Sequence, residues 1–219
     1  MQRWTIALGA ALSGLLSMPA AAETELGLYI GWQTLPHSRV EGSDPDAGAF
    51  SRTIGWDGKS FDMPPYYGGR VTFWRSESFG WGFEATHTKA YMPDSDRAAL
   101  GFDRFELTDG HNIVTVNAQR RWKDMWGGVT PYVGAGVGVA IPHVDVQASA
   151  GGPRTYGYQL TGPAVRLFAG ASYDLTESWA AFGEYQFTAS WNDVDLDSGG
   201  SFETDLYTNA INVGVSYKF

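Results

Sequence analysis

The sequence predicts an all-β fold, an eight-stranded antiparallel transmembrane up-and-down β-barrel. Segments of about ten residues alternate between apolar positions and polar or glycine positions, as strands do when one face meets lipid and the other a polar interior. Short and long connections alternate between these segments. Past residue 22, no stretch approaches the ~20 continuous apolar residues of a membrane-spanning helix.

The first 22 residues are typical of an export signal. Arg3 gives a basic start, residues 4–16 are mostly apolar, and Pro19 precedes three alanines that form a small-residue cleavage site. The apolar run is too short for a membrane span. We therefore predict a signal peptide at 1–22 and a barrel domain at 23–219, located in the outer membrane of a Gram-negative bacterium.

Eight segments show the alternation, and each is long enough to cross a bilayer at a tilt of about 45°. In order, they are residues 25–33, 66–75, 81–89, 112–122, 130–141, 159–173, 179–188 and 209–219. The apolar face of the first four carries Leu26, Leu28, Ile30 and Trp32; Tyr67, Val71 and Phe73; Trp81, Phe83 and Ala85; and Val114, Val116, Ala118 and Trp122. In the last four it carries Val133, Ala135, Val137, Val139 and Ile141; Val165, Leu167, Ala169, Ala171 and Tyr173; Tyr185 and Phe187; and Ile211, Val213, Val215, Tyr217 and Phe219.

The connections predict the orientation. Three are short turns, at 76–80, 123–128 and 174–178, and four are long loops, at 34–65, 90–111, 142–158 and 189–208. Short turns face the periplasm and long loops face the outside in this architecture. A water-soluble barrel would instead place its large apolar residues inside. Here Arg70, Glu84, Arg166 and Glu184 share the glycine face, so we predict buried ion pairs within a filled lumen.

Composition restricts the partners. The net charge of −9 argues against nucleic acid, because binding a polyanion relies on Lys and Arg. The chain has no cysteine, which excludes disulfides and zinc–thiolate sites. Eight strands suffice for a monomer.

Candidate functional residues collect at the predicted outer end. All four histidines, His37, His87, His111 and His143, fall at or near this rim, and imidazole is a common metal ligand and acid–base group. The first long loop adds residues 55–68, which contain two aspartates, a lysine and four aromatic residues within 14 positions. The alternative interpretation for each is an ordinary solvated loop residue.

Three segments resemble the outer-membrane lipid A oxidases of α-proteobacteria. They are 31–40 (GWQTLPHSRV), 56–68 (WDGKSFDMPPYYG) and 82–89 (GFEATHTK), all within the first 40% or so of the chain. The resemblance implies oxidation of the proximal glucosamine of 1-dephosphorylated lipid A to 2-aminogluconate by molecular oxygen. It also implies peroxide as co-product and a divalent metal, such as iron. The implied partner is the lipid A of outer-leaflet lipopolysaccharide.

The resemblance leads to a specific site hypothesis. His37 and His87, with Glu84 or with Asp57 or Asp62, would form a 2-His-1-carboxylate metal site at the rim. Alternatively, His87 is the base that removes the hydroxyl proton of the sugar. The groups expected to hold the substrate are Lys59, Arg39, Lys89, Trp56 and Tyr66.

Two other functions compete with the oxidase. Lipid A 3-O-deacylases are also eight-stranded barrels, but they resemble serine esterases with a His-x-Ser pair. Here His87 is followed by Thr88 and Lys89, and His37 directly by Ser38, so neither fits. A non-enzymatic structural or adhesive barrel explains the fold and charge, but it does not explain the polar cluster around one opening.

Overall fold

The computed structural model describes residues 23–219, and the predicted signal peptide lies outside the described residues. This part of the chain contains eleven strands and one short helix. Their bounds are β1 Glu23–Thr34, β2 Ser38–Asp44, β3 Gly48–Ile54, β4 Tyr67–Trp74, β5 Phe79–Tyr91, α1 Asp94–Ala99, β6 Phe102–Arg121, β7 Val129–Ala148, β8 Thr155–Tyr158, β9 Gly162–Asp174, β10 Trp179–Asp195 and β11 Ser201–Lys218. No helix within 23–219 is long and apolar enough to cross a membrane.

Eight of the strands close into an antiparallel barrel, which confirms the predicted fold. Their order is β1, β4, β5, β6, β7, β9, β10 and β11, and β11 pairs back onto β1. In the closing pair, Leu28 lies opposite Val215. The three short turns, after β4, β6 and β9, lie where the sequence predicts them, at the same end as Glu23 and Phe219. This is the periplasmic end in outer-membrane barrels.

Side-chain direction in the half of the barrel near the short turns follows the predicted alternation. The apolar side chains of each strand point outward and are about half exposed, as Leu28, Val116 and Val213 illustrate. The polar side chains point inward and are buried. This exposed apolar band is the surface that lipid covers.

A buried ion network fills the lumen, as predicted. Arg70 donates to Glu84 at 2.8 Å and to both oxygens of Glu184 at 2.8 and 2.7 Å. Arg166 lies 3.1 Å from Glu84. Tyr29 and further polar side chains also donate to the Glu84 carboxylate. Because every charge has an opposite partner, the network avoids the cost of an isolated buried charge and blocks the barrel.

The predicted long loops are largely wrong, because most of their residues are strand. β6 begins at Phe102, β7 continues to Ala148, and β10 and β11 extend the sheet past the rim. Residues of the first connection form the β2–β3 hairpin, and β2 pairs with the outer part of β11. The barrel wall therefore continues well beyond the apolar band.

This outer extension encloses an apolar core. Residues 34–65, 90–111, 142–158 and 189–208 contain inward-facing apolar side chains at alternate strand positions, which pack against one another as in a water-soluble protein. The buried members are Leu35, Val40, Phe50, Ile54, Trp56, Ala90, Met92, Phe102, Phe105, Leu107, Val144, Val146, Ala148, Val194, Leu196, Phe202 and Leu206.

Candidate functional site at the outer rim

A gap in the barrel wall defines the candidate site. β4 begins only at Tyr67, while β1 continues to Thr34 and β5 to Tyr91 on either side of it. Residues 55–66 occupy the space between these two strands. Asp57 pairs with Tyr91 through two backbone hydrogen bonds of 3.0 Å, which fixes one edge of the loop to β5.

Gln33, at the end of β1, fixes the other edge. Its backbone N–H donates to Ser60 Oγ at 2.9 Å. Its side-chain amide donates to the carbonyl of Gly58 at 2.9 Å and to the carbonyl of Lys89 at 3.0 Å. One buried side chain therefore joins β1, the loop and β5.

Further contacts bind the same loop to its surroundings. The indole of Trp56 donates to Ser38 Oγ at 2.7 Å, and the ammonium of Lys89 donates to the carbonyl of Asp62 at 2.6 Å. Tyr66 points into the lumen, where its hydroxyl donates to Gln186 at 3.1 Å. Segments 31–40, 56–68 and 82–89 thus form one connected structure, which we call the rim unit.

The histidines occupy four different environments. The ring of His87 stacks on Tyr67, with centroids 5.0 Å apart, and its Nδ1 lies 3.2 Å from Asn112 Oδ1. His37 is exposed beside Gly55. His111 lies beside the rim unit, where its carbonyl accepts from Thr88 Oγ1 at 2.8 Å, but its ring points inward to Ser190. His143 lies away from the rim unit and packs between Tyr156 and Tyr158.

The predicted 2-His-1-carboxylate arrangement is not assembled. Glu84 points into the lumen, where Arg70, Arg166 and other donors use both of its carboxylate oxygens. His87 lies three positions further along β5 and points to the opposite face. Among the side chains that the structure describes, no group of three or more His, Asp or Glu is placed to hold a metal ion. The residues present do not fit the metal centre that the resemblance implies.

The predicted substrate-binding residues divide into two groups. Trp56, Lys59, Tyr66 and Lys89 belong to the rim unit, with Tyr66 and Lys89 fully buried. Arg39 lies on the β2–β3 hairpin instead, where it pairs with Glu41 at 2.8 Å on an exposed surface. Asp57 and Asp62 are exposed members of the rim unit.

Sequence reasoning missed a second group of cations, on the outer face of the extension. Arg97, Arg104 and Arg154 lie near Lys59 around one cleft. The region of Arg104 was predicted as a loop. Its sequence alternates charged Arg104 and Glu106 with apolar Phe105 and Leu107, and this alternation could have indicated a strand there. Burial, together with the neighbouring Asp145, raises the pKa of Glu106.

A closed antiparallel barrel with a lipid-like outer band and a filled interior defines a small outer-membrane protein. Residues 8–219 match the model of the outer membrane protein beta-barrel domain, so the chain belongs to that family and lies in the outer membrane. No curated protein matches the chain.

Solved structures show the same fold. The chain is similar to neisserial surface protein A, with 15% identity, a TM-score of 0.50, and coverage of 90% of this chain and 97% of that one. It is also similar to the outer membrane protein AlkL, with 15% identity, a TM-score of 0.54, and 90% of each chain covered. At this level of identity, both similarities concern the fold alone.

Proposed function

We propose that this barrel is an oxygen-dependent lipid A oxidase that converts the proximal glucosamine of 1-dephosphorylated lipid A to 2-aminogluconate. One observation supports the proposal. The three segments that carry the resemblance to such oxidases are separated in sequence, yet Gln33, Trp56 and Lys89 connect them into the rim unit. A loop that only connects two strands of a structural barrel would not require these contacts between the three segments.

The depth of the rim unit suits this substrate. Trp32 and Tyr67 point outward at the upper edge of the apolar band, which is where aromatic residues meet the membrane interface. The sugars of lipid A lie at the same level of the outer leaflet. In this proposal the rim unit lies beside the headgroup that the enzyme modifies.

The reaction consists of a two-electron oxidation and a hydration. The C1 hydroxyl of the sugar loses its proton and C1 loses a hydride, oxygen is reduced to hydrogen peroxide, and the resulting lactone takes up water to give the acid. His87 is the base in this proposal. Asn112 Oδ1 lies 3.2 Å from Nδ1, and in this proposal Nδ1–H donates to it, which makes Nε2, a buried atom, the basic nitrogen. Glu84 has no direct role, since the lumen encloses it.

Mass spectrometry of lipid A tests the proposal. The gene is expressed in a host whose lipid A lacks the 1-phosphate, and we expect lipid A to gain the mass of one oxygen atom. His87→Ala removes the base, and we expect aminogluconate to fall at least about 100-fold, the lower range for general-base catalysis.

His143→Ala is the matched control, because His143 is also buried but packs between two tyrosines away from the rim unit. It retains activity if the proposal is right. Gel migration before and after boiling verifies that each variant folds. Full activity in the His87 variant removes His87 from the mechanism, and unchanged lipid A with the wild-type protein favours a non-enzymatic structural or adhesive barrel.

A further inference from the structure

An open cleft of about 580 Å³ lies on the outer face of the extension, above the rim unit. It is lined by α1 and the segment before it, by the outer parts of β6 and β7, and by Lys59. Cations from four separate segments converge on it: Lys59, Arg97, Arg104 and Arg154. The volume is in the range of small-molecule sites.

Carboxylates lie between these cations. Arg104 contacts Glu106 at 3.2 Å and Asp145 at 3.3 Å. Arg154 donates two hydrogen bonds of 2.6 Å to Asp145. Arg104 and Arg154 nevertheless remain 51% and 40% exposed at their side chains, so donors on both guanidinium groups are open to a ligand.

Two further carboxylates line the outer edge of the cleft. Asp94 pairs with Arg97 at 3.1 Å, and Asp103 accepts a hydrogen bond of 2.6 Å from Ser149. The lining therefore combines guanidinium donors with carboxylate acceptors. Such a mixture suits a ligand that carries both hydroxyl groups and an acidic group, because each kind of polar atom finds its complement.

Lys59 supplies a cation that is held in place. Its ammonium lies 4.1 Å from the centre of the Tyr91 ring, and it forms no salt bridge with any side chain that the structure describes. Its backbone has a φ of 38°, in the left-handed region that non-glycine residues rarely adopt. The backbone N–H donates to Asp57 at 3.2 Å and the carbonyl accepts from Asp62 at 3.2 Å. Local strain of this kind clusters at functional sites.

The cleft shares Lys59 with the rim unit but extends further from the membrane. His87 pairs with Asn112 at the rim, and Tyr91, four positions further along β5, pairs with Glu106 beside the cleft. At a rise of about 3.4 Å per residue and a tilt of about 35–45°, the cleft is about 10 Å further from the membrane. That distance places it above the lipid A sugars, beside the core sugars that follow them in lipopolysaccharide.

We propose that this cleft binds an acidic saccharide, a phosphorylated or carboxylated sugar of the lipopolysaccharide core. The arginines hold the acid group through paired hydrogen bonds, Lys59 adds a point charge, and the carboxylates accept from sugar hydroxyls. This binding goes beyond the proposed oxidation. It does not require the barrel to be an enzyme.

The test is a binding measurement on the purified, folded barrel in detergent. The probes are lipopolysaccharide with a phosphorylated inner core, lipid A without core sugars, and glucose 6-phosphate with glucose as its uncharged counterpart. We expect tighter binding of the core-bearing lipopolysaccharide than of lipid A. We expect the double substitution Arg97→Gln and Arg104→Gln to weaken it at least about tenfold, as for a lost charged hydrogen bond, with little change for lipid A.

The double substitution Arg75→Gln and Arg120→Gln is the matched control, because it removes the same two charges at the opposite end of the barrel. It leaves core binding unchanged. Competition by glucose 6-phosphate but not by glucose shows that the cleft also takes a free acidic sugar, which supports the proposed chemistry. Equal loss of lipid A and core binding in the Arg97 and Arg104 double variant, or no loss of either, overturns the proposal. A failure of the proposed oxidation is a separate result, since it would appear as an unchanged mass of lipid A.

Discussion

The two halves of this barrel have opposite polarity. In the half near the periplasmic turns, apolar side chains point outward and a charged network fills the inside. In the outer half, an apolar core fills the inside and charged residues point outward. β6 shows both patterns: Asn117 faces inward and Val116 outward near the turn, while Leu107 faces inward and Glu106 outward in the extension.

The difference shows that the surrounding solvent determines the pattern. Lipid is as apolar as Leu or Val, so burying apolar side chains inside the membrane half gains little, and ion pairs can fill it. Water surrounds the outer half, where burying apolar surface is the main stabilising contribution. One continuous sheet therefore has the residue distribution of a membrane protein at one end and that of a water-soluble protein at the other.

The largest expected effect is in the membrane half. Glu84→Ala leaves Arg70 and Arg166 without the carboxylate that joins them, and we expect a loss of about 3–5 kcal/mol in the free energy of unfolding. Urea unfolding of the barrel in lipid vesicles measures it. A loss below about 1 kcal/mol would mean that the network is not what stabilises the interior.

Glu41→Gln is the matched control for this substitution. It also removes a carboxylate paired with an arginine, but that pair is exposed on the β2–β3 hairpin. We expect a change of about 0–1 kcal/mol, as for surface ion pairs in general. Similar losses for the two substitutions would contradict the distinction between the buried and the exposed pair.

The next effect is in the outer half. Leu107→Ala creates a cavity in the apolar core, and we expect it to cost about 2–5 kcal/mol. Hydrogen exchange measures it locally: amides of the extension exchange faster, while those of the membrane half keep their protection. Val116→Ala, on the lipid face of the same strand, has a smaller effect because lipid chains can fill the space. Uniform loss of protection in both halves would show that they unfold together.

The membrane half was predictable from the sequence because its alternation is regular and its turns are short. The lumenal ion pairs among Arg70, Glu84, Arg166 and Glu184 follow from the same pattern. The outer half was not predicted, since residues 102–111 and 142–148 alternate with the polarity of a soluble sheet. That pattern does not match strands with an apolar outer face, so these residues were predicted as loops.

The candidate site was predictable only in part. The sequence indicated the segments of the rim unit, but it could not show that Gln33 connects them. The alternation in segment 81–89 already placed His87 and Glu84 on opposite faces of the strand, which the metal-site hypothesis did not take into account. The cleft depends on residues from four segments, including Arg97 and Arg154, whose proximity arises only from the folded extension. Distances between segments are set by the register of the sheet, which the sequence alone left open.

Both proposals depend on the orientation of the barrel, because the rim unit and the cleft have to face lipopolysaccharide. The chain has no cysteine, so single cysteines can be introduced without background. The measurement is labelling of intact cells with a membrane-impermeant maleimide. We expect reaction at Asp57→Cys in intact cells, and reaction at Lys123→Cys only after the outer membrane is opened. Labelling of Lys123→Cys but not Asp57→Cys in intact cells would contradict it.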